Sequence, residues 1–263
     1  MIGQKIIAVL KKDAITAMRY RNGFVLSSLA QAAQLATFYY LARAVGPQFR
    51  PEGMPYFLFL LIGTGFYTFL LSGTHSFLRT IQESQQTGTL EVLLTTATPA
   101  AVLVSLGALS AFAQGLLQFV VYVGAGIFLF MPAQHVNVAG CLLAFGFSIL
   151  SAFAIGLFAA GLQISMHKGS AVLWLLGSGA WLMSGTLFPI AALPRGVRMV
   201  SYFIPFTHSL AAMRISLLAG NFAAIAQELE ILALFALFLV PSGVIFFSWM
   251  VRQARQNGTL SYY

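Results

Sequence analysis

The chain alternates long apolar runs with short polar segments, and the runs are long enough to cross a lipid bilayer. A membrane-spanning helix needs about 20 mostly apolar residues. Six runs satisfy this requirement, and the third and fourth are long enough to tilt or to project beyond the hydrocarbon. The pattern predicts an all-α integral membrane protein with transmembrane helices at residues 24–45, 55–79, 100–131, 138–165, 170–188 and 229–251.

The first 21 residues carry a different pattern, with apolar and basic positions on opposite sides of a helix. A basic amphipathic helix of this kind lies in the membrane interface rather than across the bilayer. Its apolar side holds Ile2, Ile6, Val9, Leu10, Ala14 and Ala17, and its basic side holds Lys5, Lys11, Lys12, Thr16 and Arg19. The alternative is a signal peptide cleaved at Ala42-Arg43-Ala44, but the apolar run before that site is too long for one.

Composition and charge support a membrane protein with both ends in the cytoplasm. Of the 263 residues, 59% are hydrophobic and only 8% are charged, whereas soluble domains have about 25% charged residues. With the N-terminus inside, nine Lys and Arg residues fall on inner segments and five on outer ones, as the positive-inside rule favours. The net charge of +8 flanks apolar spans, so topology and anionic lipid explain it without nucleic acid. No composition break divides the chain, which predicts a single transmembrane domain over residues 1–263.

The sequence carries no recognisable catalytic, metal or nucleotide-binding set. None of the six acidic residues falls at the centre of a predicted span, where a proton- or sodium-coupled carrier needs an ionisable group. The four histidines have no ligand spacing, and the single cysteine, Cys141, cannot form an intrachain disulfide. No G-x-x-x-x-G-K-[ST] phosphate-binding loop occurs. We therefore expect no catalytic residue, metal or cofactor in this chain, and an energy source on another subunit.

A polar stretch at residues 83–100 separates the second and third apolar runs and holds two of the six acidic residues. Gly88 can take the left-handed conformation that ends a helix. Thr89 can then cap a short new helix with Glu91 in its first turn, where the helix dipole favours negative charge. The apolar side of that helix would hold Leu90, Leu93 and Leu94. The stretch predicts an amphipathic helix at the inner membrane surface, with an ordinary polar loop as the alternative.

Two motifs resemble those of ABC-2 type transporter permeases. In their cytoplasmic loop a Glu precedes G-T-L-E-x-L-L and then a Thr and a Pro; this chain has Glu83, Gly88-Thr89-Leu90-Glu91-Val92-Leu93-Leu94 and Thr98-Pro99. A later stretch resembles the family's S-G-x-x-F-P…L-P…P-x-T…R signature. It consists of Ser184-Gly185-Thr186-Leu187-Phe188-Pro189, Leu193-Pro194, Pro205-Phe206-Thr207 and Arg214. Because both motifs occur in order within a matching six-span plan, the resemblance covers essentially the whole chain.

The resemblance implies a permease subunit without its own ATPase site, paired with a separate ATP-binding subunit that holds ATP and Mg. Such permeases work as two copies with two ATPase chains, so we expect a homodimer, acting as an exporter in a bacterial cytoplasmic (inner) membrane. A coupling segment at residues 81–99 would dock on the ATPase, and the N-terminal interface helix would make the second contact. The coupling residues would be Glu83, Gly88, Thr89, Leu90, Glu91, Leu93 and Leu94.

The same resemblance places a re-entrant external hairpin at residues 188–228, between the fifth and sixth spans. Three prolines interrupt the chain there, and the family counterpart is a pair of short helices near the outer leaflet. Its candidate site residues are Pro189, Pro194, Arg195, Arg198, Pro205, His208 and Arg214. The cationic side chains could attract an anionic head group, or they could be anchors that reach the membrane interface.

Polar and aromatic residues within the spans suggest a transport pathway. Two glutamine pairs each share a helix face and could line a route or join helices by hydrogen bonds; they are Gln31 with Gln34, and Gln114 with Gln118. The aromatics of the second span would suit an amphipathic cargo or would face lipid. Small residues at every fourth position in the third and fourth runs favour close packing, at a dimer seam or within one bundle.

These observations predict the membrane subunit of an ABC-2 type exporter. Its cargo would be amphipathic, lipid-like, drug-like or a glycan, and the sequence does not identify it. A stand-alone channel or facilitator is the alternative, and it leaves the coupling segment unexplained. A membrane enzyme is disfavoured by the scattered histidines and peripheral acids.

Overall fold

The computed structural model describes residues 21–90, 100–130, 137–166, 168–218 and 222–257, with residues 21–28 and 130 described by their backbone alone. No strand occurs among these residues, which confirms the all-α class. They form eight helices in chain order: α1 Arg21–Val45, α2 Tyr56–Gln86, α3 Ala100–Phe130, α4 Val138–Met166, α5 Gly169–Met183, α6 Arg195–Ser201, α7 Pro205–Leu218 and α8 Ala223–Asn257. Single 3₁₀ turns lie at Pro51–Gly53 and Ile190–Ala192.

Four of the described helices, α2, α3, α4 and α8, are long and apolar enough to cross a membrane. Helix α5 is apolar but shorter. Helix α1 has 25 residues, but it is not one of the four. The integral membrane character is therefore confirmed, while the count of six spans stays a prediction. The predicted interface helix at residues 1–21 lies, apart from its last residue, outside the described part of the chain.

Helix α2 lies at the centre of the bundle and packs against α1, α3, α4, α5 and α7. In its most apolar stretch 78% of the residues are buried, compared with 22% in α8. Its aromatic residues form the core rather than facing lipid, because all five are buried: Phe57, Phe59, Phe66, Tyr67 and Phe69. The hydrophobic core of the bundle is therefore centred on α2.

The small-residue faces of α3 and α4 pack within the chain. A Cβ atom built on Gly156 of α4 would lie 2.4 Å from the Phe77 ring of α2. A Cβ on Gly115 of α3 would lie 3.0 Å from the Ser72 hydroxyl oxygen. A helix can approach this closely only where its side chains are absent. These contacts favour the second of the two interpretations, close packing within one bundle.

Connections between the helices gather at two ends of the bundle. At the first end, the Tyr56 hydroxyl donates to the Leu187 carbonyl at 3.1 Å, so the start of α2 meets the chain after α5. At the other end, Gln163 Nε2 of α4 donates to Gln85 Oε1 of α2 at 3.1 Å. We call the first end the hairpin end, because it contains residues 184–204. We call the other the Gly88 end, because it contains Gly88.

Helix boundaries differ from the apolar runs where hydrogen bonding, rather than hydropathy, decides the end. Helix α2 continues to Gln86, so the first residues of the predicted coupling segment complete that helix. Helix α5 ends at Met183 instead of 188, because Gly185 takes a left-handed φ of 79°. Helix α8 begins at Ala223, which places Glu228 inside a helix rather than in the external segment.

Candidate functional site

Arg214 occupies the centre of the hairpin end and is almost completely buried, with 2% of the residue exposed. It extends from the buried helix α7 towards α2 and the loop after α5. Its Nη2 donates to the Gly185 carbonyl at 2.8 Å and the Phe59 carbonyl at 3.2 Å, and lies 3.5 Å from the Thr186 carbonyl. The guanidinium carbon also lies 3.5 Å from the centroid of the Phe59 ring. Arg214 therefore joins three segments that are distant in sequence.

The charge of Arg214 has one carboxylate nearby. Glu52 Oε2 lies 3.8 Å from Arg214 Nη1, and Glu52 has a left-handed φ of 54°, which is uncommon for a residue with a side chain. Burial lowers the pKa of Arg214 to about 10, and the Glu52 charge opposes that effect. The guanidinium therefore remains charged at neutral pH. We refer to Arg214, Glu52, Phe59, Gly185 and Thr186 as the arginine cluster.

The loop that follows α5 presents its carbonyl groups to Arg214 because its own hydrogen bonds hold it in place. The Ser184 hydroxyl donates to the Ala180 carbonyl at 2.6 Å, and the Thr186 hydroxyl donates to the Trp181 carbonyl. Gly185, between them, supplies the left-handed turn that residues with a Cβ adopt only with strain. The Ser-Gly-Thr of the sequence signature thus forms a turn that exposes two carbonyls on one side.

A π-helical stretch, Leu175–Ala180, precedes this turn within α5. Such stretches displace backbone groups from ordinary helical hydrogen bonding and occur often at functional sites. The Tyr67 hydroxyl of α2 donates to the Leu176 carbonyl at 2.6 Å. The Leu176 carbonyl also accepts from the Trp181 N–H within α5, so the Tyr67 contact adds a second bond that fixes α5 against the central helix.

His208 forms a second polar contact at the hairpin end, between α7 and α8. Its Nδ1 lies 2.7 Å from Glu228 Oε2, and its Nε2 lies 3.0 Å from the Tyr202 carbonyl oxygen. A carboxylate and a carbonyl both accept hydrogen bonds, so this pair of neighbours favours the imidazolium form, which has a donor on each ring nitrogen. Burial lowers the pKa of His208, but the bonds to Glu228 and Tyr202 and the Glu228 charge together raise it above its ordinary value.

The remaining predicted hairpin residues lie at or near the starts of short helices and turns. Pro194 immediately precedes α6, and Pro205 is the first residue of α7, a position where the missing proline N–H costs no hydrogen bond. Arg198 donates to the carbonyls of Ala191 and Leu193, the latter at 3.1 Å. Pro189 precedes the 3₁₀ turn, and Arg195 is exposed. Of the four residues that the sequence left open to anions or anchoring, which are Arg195, Arg198, His208 and Arg214, the last three bind backbone carbonyls of their own chain.

At the Gly88 end, the predicted helix break is present. The Gly88 N–H donates to the Gln85 carbonyl at 3.1 Å and the Thr89 N–H to the Ser84 carbonyl at 2.9 Å. Gly88 has a φ of 67°, so the turn is a Schellman motif. Arg79 and Glu83 form an exposed ion pair with 2.6 Å between Nε and Oε1.

The predicted coupling residues separate into two groups. Leu90 is 1% exposed and belongs to the hydrophobic core, so its side chain contacts the bundle and anchors the chain after the turn. Glu83, Gly88 and Thr89 are exposed. Glu91, Leu93 and Leu94 lie outside the described residues.

A buried amide contact behind the Gly88 turn has no counterpart among the sequence predictions. Gln163 donates to Gln85, and its Oε1 accepts from the Gly169 N–H at 3.2 Å. The contact joins α2, α4 and the start of α5. A Cβ on Gly169 would lie 2.4 Å from the Ala159 carbonyl oxygen, which explains the glycine but was not visible in any spacing.

The four predicted pathway glutamines lie along one groove on α2. Its narrower part, of about 60 Å³, is lined by Gln31, Gln34 and Gln118 together with residues of α2 and α3. Its wider part, of about 620 Å³, is lined by Gln114 and Gln118. We call the two parts together the polar groove, since residues of α2 such as Thr68 and Ser72 line both.

Sequence reasoning missed the α2 side of this groove. Thr68, Ser72, His75, Ser76, Arg79 and Gln82 line it, and they recur at the three- and four-residue spacing of one helix face. That spacing was available in the sequence, but the surrounding aromatic residues dominated the interpretation of the second span.

A comparison with protein families agrees with the two sequence motifs, the one around Gly88 and the one that ends at Arg214. The family model described as "ABC-2 type transporter" matches residues 4–218. The matched range includes both the Gly88 turn and the arginine cluster. No curated protein matches the chain.

Proposed function

Since the chain belongs to the ABC-2 type transporter family, a family of membrane permeases, we propose that it works as the membrane subunit of an exporter. In this proposal two copies of the chain form a homodimer with two separate ATP-binding subunits, which hold ATP and Mg. The cargo is amphipathic, in the range of lipid-like, drug-like and glycan compounds. A channel without an ATPase is the alternative function.

The observation that carries the proposal is the Schellman turn at Gly88. It ends the central helix α2 within residues 81–99, the segment that the family resemblance identifies as the contact with the ATPase. Leu90 anchors the chain in the core, and Gln85 ties the end of α2 to α4 and α5 through Gln163. A force applied after Gly88 would therefore reach three helices of the bundle.

Substitutions at Gly88 test this coupling role. Among the described residues nothing lies within 4 Å of a Cβ at Gly88, so the effect expected of a substitution there comes from backbone conformation. Gly88→Val forbids the left-handed turn, whereas Gly88→Asn is compatible with it. We expect Gly88→Val to lose ATP-dependent transport or co-purification of the ATPase, and Gly88→Asn to keep both.

Gly53 provides a matched control at the hairpin end. It has a φ of 81° and also has nothing within 4 Å of its Cβ position. Gly53→Val should leave the ATPase bound even if it lowers stability. Equal ATPase binding together with equal ATP-dependent transport in the Gly88→Val and Gly88→Asn variants, both folded, would contradict the coupling role. ATP hydrolysis by the purified chain alone would contradict the assignment of hydrolysis to a separate subunit.

The proposal also fixes an orientation. Both termini and the Gly88 end face the cytoplasm of a bacterium with this chain in its inner membrane, and the hairpin end faces outwards. The support is the bias of Lys and Arg residues and the gathering of alternate connections at opposite ends of the bundle. A reporter fused after Tyr263 that fluoresces only in the cytoplasm should light up, and a dark fusion at normal expression would reverse the orientation.

A further inference from the structure

The polar groove lies along a face of the central helix α2 that is exposed or half-exposed between Thr68 and Gln82. Most of α2 is buried, yet its exposed and half-exposed positions include Thr68, Ser72, His75, Arg79 and Gln82. By contrast, α3 exposes large apolar side chains such as Leu117 and Phe128, and α8 exposes Leu237, Phe238 and Ile245. Unpaired polar side chains in contact with hydrocarbon cost several kcal/mol. The face of α2 is therefore suited to water or to a polar ligand rather than to lipid tails.

The groove has the dimensions of a binding site. Its wider part has a volume of about 620 Å³, within the range of roughly 300–1,000 Å³ typical of ligand pockets. From Thr68 to Arg79 the face of α2 extends roughly 16 Å at the rise of an α-helix. The groove is open along one side, so a ligand could enter it from within the bilayer.

The two walls of the groove differ in chemistry. Gln114 and Gln118 of α3 present carboxamides on one side, and Leu71, Leu78 and Leu173 supply apolar surface. Leu173 belongs to α5, which forms the opposite wall. A molecule with a polar part and an apolar part can satisfy both walls at the same time.

The hydrogen-bonding groups of the groove are almost entirely uncharged. Hydroxyl and carboxamide side chains each offer both donors and acceptors, which matches a ligand that carries hydroxyl groups. Among the described residues that line the groove there is no carboxylate. The guanidinium of Arg79 lies near the Gly88 end and is paired with Glu83 at 2.6 Å. A full charge on the ligand would lose its water without gaining an opposite charge.

We propose that the polar groove binds an amphiphile with an uncharged, polyhydroxylated head group, placed between Thr68 and Ser72 on α2 and Gln114 and Gln118 on α3. Its apolar tail lies along Leu71, Leu78 and Leu173. The inference rests on the proposed permease function and narrows its cargo to one chemical class.

The test uses the purified complex with its ATPase in lipid nanodiscs and an octyl glucoside whose tail carries a diazirine. Light should attach the probe to peptides from α2 and α3 that line the groove. Unlabelled octyl glucoside should compete, whereas octyl phosphate and octyltrimethylammonium should compete about tenfold less well, a difference that one unpaired charge readily produces. Equal competition by the charged compounds would overturn the proposal without any variant.

A pair of variants locates the site. Gln114→Leu combined with Gln118→Leu removes the carboxamides and should lower labelling about threefold to tenfold, the loss expected for one or two hydrogen bonds. Leu117→Ala on the exposed side of α3, away from the groove, should leave labelling unchanged. Labelling of the double variant at the wild-type level would overturn the proposal.

The outcomes also separate this inference from the proposed function. If the ATPase co-purifies but the charged compounds compete equally, the cargo class is wrong and the permease assignment stands. If octyl glucoside labels the groove but no ATPase binds the chain under any condition, the exporter proposal fails and the binding site stands.

Discussion

The arginine cluster and the polar groove both place hydrogen-bonding side chains against α2, but they meet the cost of polarity in opposite ways. In the arginine cluster, Arg214 is buried and donates to carbonyl groups of two other segments. In the groove, Thr68, His75 and Arg79 are exposed along the same helix, and groove side chains such as Ser72 and Gln114 bond to neighbours on their own helix. The arginine cluster therefore joins separate segments of the fold, whereas the groove side chains do not.

The difference indicates how mutations in the two regions should divide between stability and function. Removing a buried partner leaves unsatisfied groups behind, which destabilises a protein by more than the bond itself contributed. Removing an exposed polar group leaves nothing buried without a partner. We therefore expect the arginine cluster to determine the free energy of unfolding and the groove to determine binding.

The largest effect should come from Arg214→Met. The substitution leaves the Phe59 and Gly185 carbonyls without their donor and Glu52 without its cation. We expect the free energy of unfolding to fall by about 3–5 kcal/mol, the loss typical of breaking a buried ionic contact. Denaturant titration followed by helix content measures it. Arg195→Met, at the exposed first position of helix α6, should change it by less than about 0.5 kcal/mol. Similar losses in both variants would refute the comparison.

Gly63→Ala should produce the next largest effect. A Cβ at Gly63 would lie 2.5 Å from both Arg214 Nη2 and the Thr186 carbonyl oxygen. Overpacking of this kind costs about 1–3 kcal/mol. The matched control is Gly124→Ala in α3, where no atom of the residues that the structure describes lies within 4 Å of the Cβ position. Alanine stabilises a helix by up to about 1 kcal/mol relative to glycine. Thermal unfolding of the two variants should shift in opposite directions or leave Gly124→Ala unchanged; destabilisation of both to the same extent would speak against close packing at the cluster.

The contact between His208 and Glu228 should make the free energy of unfolding depend on pH, with an effect of intermediate size. The pKa of His208 is raised above its ordinary value of 6.5 in the folded protein, so its contribution is complete below pH 6.5 and is lost as the pH rises through the raised pKa. We expect the free energy of unfolding of the wild-type protein to fall over that rise.

Glu228→Gln should flatten this pH profile, because the glutamine amide removes the charge that stabilises the imidazolium. Glu230→Gln, at an exposed position of the same helix, should leave the profile as in wild type. Unfolding midpoints measured between pH 5 and pH 9 compare the three proteins, as a rough window about the ordinary histidine pKa. A wild-type profile without any decline would show that the pair does not stabilise α7 against α8.

The smallest effect on stability should come from the groove. Thr68→Val keeps the shape of an exposed side chain and should change the free energy of unfolding by less than about 0.5 kcal/mol. The same denaturant titration checks it. A loss as large as that of Gly63→Ala would mean that the groove is part of the structural core and would remove the distinction between the two regions.

The local features of both regions could be predicted from sequence where one residue determines the conformation. The turn at Gly88 follows from the freedom of glycine, and the helix start at Pro205 follows from its missing N–H. The burial of Arg214 could not be predicted in this way. Its partners come from Phe59 and Gly185, and no local pattern shows that these carbonyls converge. An arginine near an apolar run therefore suggested an anion site or an interface anchor.

The interpretation of the groove met the opposite difficulty. Helical spacing correctly paired Gln31 with Gln34 and Gln114 with Gln118, because a helix face depends only on local geometry. Whether such a face meets lipid, another helix or open space depends on packing between helices. Leu90 shows the same limit: its position on an apolar face was predictable, but its burial in the core was not.

The arginine cluster also sets an order of events during synthesis. Arg214 and Phe59 are 155 positions apart in the chain. At a translation rate of 5–20 residues per second, roughly 10–30 s separate the emergence of the two residues. During that interval the start of α2 lacks the Arg214 guanidinium. The turn at Gly185 is made much later than α2, only 29 positions before Arg214. The early helices must therefore remain in the membrane without this contact, and the arrival of α7 completes the assembly of helices made long before it.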